Sequence, residues 1–225
     1  MPRSYLRTSL VTAAALLAAA GDAAPQDFRT AIGYGGGAVA ITPLNAGGQG
    51  AQELRFEPGW IVAAHIEHRF GIGWLGLRAH GAYTQRPLAI ADSTLGINVW
   101  FADAEFVLRP FGAGGARGVS PFLTLGAGAI RYGLGRGRAV EIVEANARYD
   151  GASENRWAAV VGLGLDIGPV LELQETPLGL RLEVGDHIAL DSPFKPISGP
   201  RFSPVHNVRV TLSLVSLIGD VGGPP

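Results

Sequence analysis

Cysteine is absent from the 225 residues, which excludes disulfide frameworks, thiolate-held zinc or iron–sulfur centres, cysteine nucleophiles and an anchor attached through a lipidated cysteine. Charge is scarce. Asp, Glu, Lys and Arg make up 16% of the chain, against about 25% in ordinary soluble domains. Lysine is nearly missing, with one residue at position 195. The 18 basic and 19 acidic residues leave a net charge of −1, so no basic surface of the kind nucleic acid selects is expected. Long apolar runs are lacking as well. Beyond the N-terminal segment no stretch reaches the 18 residues of a membrane-crossing helix. What remains is 47% hydrophobic, too apolar for a disordered chain, and carries 33 glycines, roughly twice the usual share.

Residues 1–24 read as an export address. Arg3 and Arg7 form a cationic start, an apolar stretch follows from Leu10 to Ala20, and small residues close it. Residues 1–24 are therefore expected to be a cleaved signal peptide, cut after Ala20 or Ala23, with a single domain over 25–225. The apolar stretch is too short to cross a bilayer core of about 30 Å as a helix.

In the remaining chain hydrophobic residues recur at period two in eight stretches, the mark of strands with one apolar face. Leu178, Leu180, Leu182 and Val184 alternate with Gly179, Arg181, Glu183 and Gly185. Val208, Val210, Leu212 and Leu214 alternate with Asn207, Arg209, Thr211 and Ser213. Trp157 to Ile167, Trp60 to Phe70, Leu75 to Tyr83 and Trp100 to Leu108 follow the same rule, and residues 28–41 and 121–134 are strand-like but glycine-rich. For 121–134 both phases are apolar, so its facing stays open.

These runs are about 10–14 residues long, whereas strands of globular proteins peak near 5–6. A tilted strand that crosses a bilayer needs about 9–11. Trp60 and Phe70 lie on one face, about 23 Å apart along such a strand, close to the height of an apolar band bounded by aromatic girdles. Trp60, Phe70, Tyr83, Trp100 and Trp157 are the expected girdle. The connections alternate in length: short at 70–73, 110–120 and 168–177, longer at 42–56, 86–96, 134–155 and 188–204. With both termini in the periplasm, the longer set faces outward. The fold class expected is all-β, an eight-stranded antiparallel up-and-down transmembrane barrel.

If the leucine faces meet lipid, the opposite faces line the lumen. Glu67, Arg78, His80, Asp103, Glu105, Arg181, Glu183 and Arg209 then converge. Isolated buried charges are costly, so these are expected to pair across the barrel. A narrow barrel is just wide enough to be filled by its own side chains, and balanced charge favours such a plug over a pore of one dominant sign. Glycines on the inward phase leave room for the long side chains opposite.

Catalytic chemistry finds little support. His65 and His68 fall on opposite faces of a strand and cannot share a metal without a bend. His206 has Ser203 nearby but no H-x-S pair, and G-x-S-x-G is absent. His187, beside Asp186, reads as a solvated residue at a strand's outer rim. The glycine clusters at 33–37 and 133–138 do not open a helix after a short strand, as phosphate cradles do. No catalytic residue, metal or cofactor is expected.

The segment Ser120-Pro-Phe-Leu-Thr-Leu-Gly-Ala-Gly-Ala129 resembles the strand openings of small outer-membrane β-barrels of the OmpA/OmpX/OmpW-like group. Phe106-Val-Leu-Arg-Pro-Phe111 and the strand His206 to Leu214 are similar to that family too. The resemblance extends over 28–218 and rests on pattern. Such chains often end on an aromatic residue, whereas this one ends Gly-Asp-Val-Gly-Gly-Pro-Pro225. It implies a monomer in the bacterial outer membrane, with outer-membrane lipid, lipopolysaccharide and the barrel-assembly machinery as partners. The role implied is structural or interactive. A narrow channel or a carrier of small hydrophobic molecules is one alternative. A soluble lipocalin-type barrel, its apolar face turned inward, is another.

Overall fold

The structure, a computed structural model, describes residues 29–43, 54–70, 73–90, 93–111, 118–134, 140–142, 147–149, 153–173, 176–197 and 204–218. The expected signal peptide and Ser203 lie outside them. Among the described residues twelve strands occur in order: β1 (Arg29–Ile41), β2 (Arg55–Phe56), β3 (Gly59–Arg69), β4 (Leu75–Ile90), β5 (Ser93–Leu108), β6 (Val119–Leu134), β7 (Val140–Ile142), β8 (Ala147–Tyr149), β9 (Ser153–Leu173), β10 (Thr176–Ala189), β11 (Lys195–Pro196) and β12 (Val205–Ile218).

Eight of these close a ring. β3, β4, β5, β6, β9, β10 and β12 pair each with the next, antiparallel, and β1 pairs with β3 on one side and β12 on the other. Closure follows from strand length and alternation together. Every long strand has an apolar face to present outward, and closing the sheet removes the unpaired edges that an open sheet would expose. The ring has a terminal end, where β1 starts and β12 finishes, and a loop end. There β7, β8 and β11 form a separate three-stranded sheet and β2 pairs with the tip of β4.

Alternation settles the facing of β6. Phe122, Thr124, Ile130 and Tyr132 are buried inside, while Leu123 and Leu125 are exposed on the wall. Leu163, Leu182, Val210 and Leu212 share that outer surface on their own strands.

Two connections differ from the sequence expectation. Residues 86–96 are mostly strand: β4 runs to Ile90 and β5 begins at Ser93. Pro87 cannot donate to the ladder, yet its carbonyl accepts from Glu57 N at 3.2 Å, and β2 supplies a further partner where β3 has ended. Residues 168–177 are also mostly strand, because β9 continues to Leu173 and β10 starts at Thr176. A shift of register between Leu178 and Leu180 marks where this hairpin leaves the regular wall.

Candidate functional site: the barrel lumen

The inward phase of the eight strands sets the contents of the lumen. At the terminal end Glu67 of β3 accepts from Arg69 Nε at 3.0 Å, Arg109 Nη2 at 2.6 Å and Arg181 Nη2 at 2.8 Å. Asp166 of β9 accepts from Arg181 Nε at 2.6 Å and from Arg109 Nη2 at 3.1 Å. Phe122 lies beneath this group. The guanidinium carbons of Arg181, Arg109 and Arg78 stand 4.7, 5.8 and 5.9 Å from its ring centroid, within the range in which a cation is attracted to a ring face.

One layer further in, Arg78 spans two carboxylates. It donates to Glu183 through Nη1 at 2.5 Å and Nη2 at 2.9 Å, and to Glu105 through Nη2. Arg209 Nη2 reaches the same two carboxylates, at 2.7 Å to Glu183 and 3.2 Å to Glu105. His65 Nε2 lies 3.1 Å from Arg181 Nη1 and so adjoins the terminal group. The third layer is a carboxylate between two imidazoles. Asp103 Oδ2 is 3.0 Å from His80 Nδ1 and 2.7 Å from His187 Nε2. These three residues are the only group of metal-type donors brought together among the described residues. Arg209 Nη1 lies 2.9 Å from His80 Nδ1, a fixed cation beside the donors that disfavours a metal ion there.

Beyond this layer the lumen changes character. Val39, Ile61, Leu88, Ile97, Val99 and Ile130 fill its loop-end half. Leu54, Phe56, Tyr149 and Phe194, from segments outside the ring, join that cluster and cover it. The Phe194 ring lies 6.4 Å from Phe56 and 5.4 Å from Tyr149. Tyr149 ties this cover to the wall by donating to the Tyr132 carbonyl at 2.6 Å.

All eight charge-bearing residues read from the sequence, Glu67, Arg78, His80, Asp103, Glu105, Arg181, Glu183 and Arg209, thus face the lumen buried. Sequence reasoning missed Arg69, Arg109, Asp166 and His65 as members of the group. The signal was available, since each shares the parity of an inward neighbour on its strand. His187 is a correction. It is buried, at 1% exposure, with its ring against Asp103 and Phe101. The strand continues past it to Ala189, which places it on the inward phase and below the rim. Its neighbour Asp186 faces the other way and accepts from His206 Nδ1 at 2.6 Å.

Of the aromatic residues, Trp60, Tyr83 and Trp100 stack in a row across β3, β4 and β5 on the outer wall, with centroids 5.8 and 4.4 Å apart. Trp157 is 74% exposed on β9. Phe70 lies at the other end of β3, 5.5 Å from the ring of His68. A closed ring of eight strands carries its leucines and tryptophans outside and its charges inside, the inverse of a soluble domain.

This is the fold of the small outer-membrane β-barrels.

Three solved structures are similar to the barrel. Ail, the attachment invasion locus protein of Yersinia pestis, solved with the heparin analogue sucrose octasulfate, is 13% identical with a TM-score of 0.48, over 85% of this chain and 99% of that one. Neisserial surface protein A is 10% identical with a TM-score of 0.49, over 84% and 95%. The N-terminal β-barrel domain of Pseudomonas aeruginosa OprF is 10% identical with a TM-score of 0.41, over 86% and 98%. No family model and no curated protein matches the sequence of the barrel.

Proposed function

We propose that the chain is an outer-membrane protein with a structural or interactive role at the cell surface, its lumen plugged against ion flow. The observation that carries this reading is the sorting of side chains. Arg78, Arg181 and Arg209 meet carboxylates from opposite walls, while Leu125, Leu163 and Leu212 stand more than half exposed outside. A wall of this kind is stable in lipid and costly in water. The lumen group balances: Arg69, Arg78, Arg109, Arg181 and Arg209 face Glu67, Asp103, Glu105, Asp166 and Glu183. Arg86, in the loop-end half, stands outside these pairs, and within the charged layers no single sign of charge is left to draw ions through. In this reading the N-terminal segment directs export, both termini lie in the periplasm, outer-membrane lipid and lipopolysaccharide surround the wall, and the barrel works as a monomer without catalysis.

The test is conductance of the purified chain in planar lipid bilayers. The expected record has no steady conductance beyond rare small events. Reproducible discrete openings would contradict the plug.

The loop-end half of the lumen supports a second reading, a carrier for small hydrophobic molecules. The lumen of a small outer-membrane barrel is ordinarily polar, and this one is lined mainly by apolar side chains from Val99 to the mouth, with Arg86 buried among them. Such a molecule would be held at the loop end, above the charged layers.

A further inference from the structure

Arg86 of β4 stands apart from every other arginine in the lumen. Its side chain is fully buried, yet it lies in the apolar half. Among the described residues no carboxylate forms an ion pair with it. Its one hydrogen bond among the described residues is from Nη2 to the Val39 carbonyl. Nε and Nη1 are both buried and without a partner. Ile97 pairs with Arg86 across β5, and Leu88 follows it on the same inward face. Gly59 faces it from β3, where a Cβ would stand 3.5 Å from Nε. A guanidinium cannot shed its proton to relieve burial, and an unpaired buried charge is among the costliest features a fold can carry. Nε–H and the Nη1–H groups lie on different edges of the guanidinium, and each is a charge-assisted donor of the kind a carboxylate oxygen accepts.

We propose that Arg86 anchors a binding site for the carboxylate head of an apolar acid, whose chain lies in the loop-end half of the lumen. Ile61, Leu88 and Ile97 form the wall of the site. Phe56, Tyr149 and Phe194 are its cover and occupy the chain's place when no acid is bound. The cover is not part of the ring: β2 pairs with the tip of β4 over two residues, and the sheet that carries Tyr149 is separate. The charged layers close the site below, so the acid enters and leaves by the loop end. This deepens the second reading above, since it adds a head-group to the hydrophobic molecule and names the residue that recognises it.

The experiment uses the full chain folded in nonionic alkyl maltoside micelles and dodecanoate labelled with carbon-13 at the carboxyl, followed by NMR. The expected result is a saturable carboxyl resonance distinct from that of micelle-dissolved acid. Dodecanol should displace it at least about tenfold less well than unlabelled dodecanoate, because the alcohol cannot form the charge-assisted pair. In Arg86→Met the resonance should vanish or the affinity fall at least about tenfold. The urea midpoint of Arg86→Met should be unchanged or higher, since a costly unpaired charge has been removed. No distinct resonance with the wild-type chain would overturn the proposal, as would unchanged affinity in Arg86→Met. A lower midpoint or a failure of Arg86→Met to fold would also overturn it, by showing that the guanidinium is paired for stability beyond its bond to the Val39 carbonyl. Heat-dependent mobility of each sample in SDS gels reports the barrel separately. A folded barrel with no bound acid would reject the site and the carrier reading, and leave the outer-membrane assignment standing.

Discussion

Arg78 shows how a single side chain holds opposite walls together. It is completely buried and joins β4 to Glu105 on β5 and to Glu183 across the lumen on β10. Removing one partner from such a group leaves buried charge uncompensated, at a cost of about 3–5 kcal/mol. Arg78→Met should therefore lower the free energy of urea unfolding in detergent by about that amount. Adding Glu183→Leu should recover part of the loss, because the orphaned carboxylate is then gone; additive losses would place the two groups in water. Small residues matter equally. Gly126 packs against the backbone of Ala104 and Glu105, so Gly126→Val should block folding into the heat-modifiable form, whereas Gly96→Val, where an added Cβ meets nothing within 4 Å, should fold normally. Much of this was legible in the sequence, since the parity of Glu67, Arg78, Asp103, Glu105, Arg181, Glu183 and Arg209 assigns each to the face opposite the leucines. Their partners were not legible. Pairing Arg78 with Glu183 requires the ring to close, and no local pattern carries that distance.

At the level of strands, periodicity named eight barrel strands, but it shortened β4, β5 and β9. Pro87 and the Gly168-Pro169 pair look like turn chemistry, and each instead sits inside a strand. Pro87 is tolerated because β4 outlasts β3 and meets the short β2 there. At Gly168 the pairing with the β6 side reaches its last described bond, from Gly168 N to the Gly118 carbonyl at 2.7 Å, and Pro169, which has no N–H to give, follows directly. Arg86 was hidden by the same shortening, since a residue assigned to a connection has no inward phase. The outer faces of these strands give a sharp contrast. Leu163, in mid-strand and 58% exposed on the wall, should tolerate no charge: Leu163→Arg is expected to cost about 2–4 kcal/mol in bilayer-folded protein. A loss near zero in the same unfolding measurement would mean that this wall faces water.

For the molecule as a whole, the distribution of polarity decides the environment. Charges are few, and those of the described lumen are spent in pairs, Arg86 excepted. The exterior combines Trp60, Tyr83 and Trp100 near the loop end with Phe106 and Phe111 toward the terminal end, and aliphatic residues between. Composition anticipated this balance in part, with 16% charge against 47% hydrophobic residues. The two-part lumen, charged below and apolar above, was not anticipated. Val39, Ile61, Val99 and Ile130 share the inward parity of the charged residues, and only the ring shows that they gather at one end and are covered there by Phe56, Tyr149 and Phe194.

The most direct measurement is the mobility in SDS gels of the chain recovered from the outer-membrane fraction, run cold and after boiling. A closed barrel with every strand edge paired resists SDS until heated. The account predicts a folded band in the cold sample that shifts on boiling, found in the outer-membrane fraction. A single unshifted band, with the chain in the soluble periplasmic fraction, would contradict it.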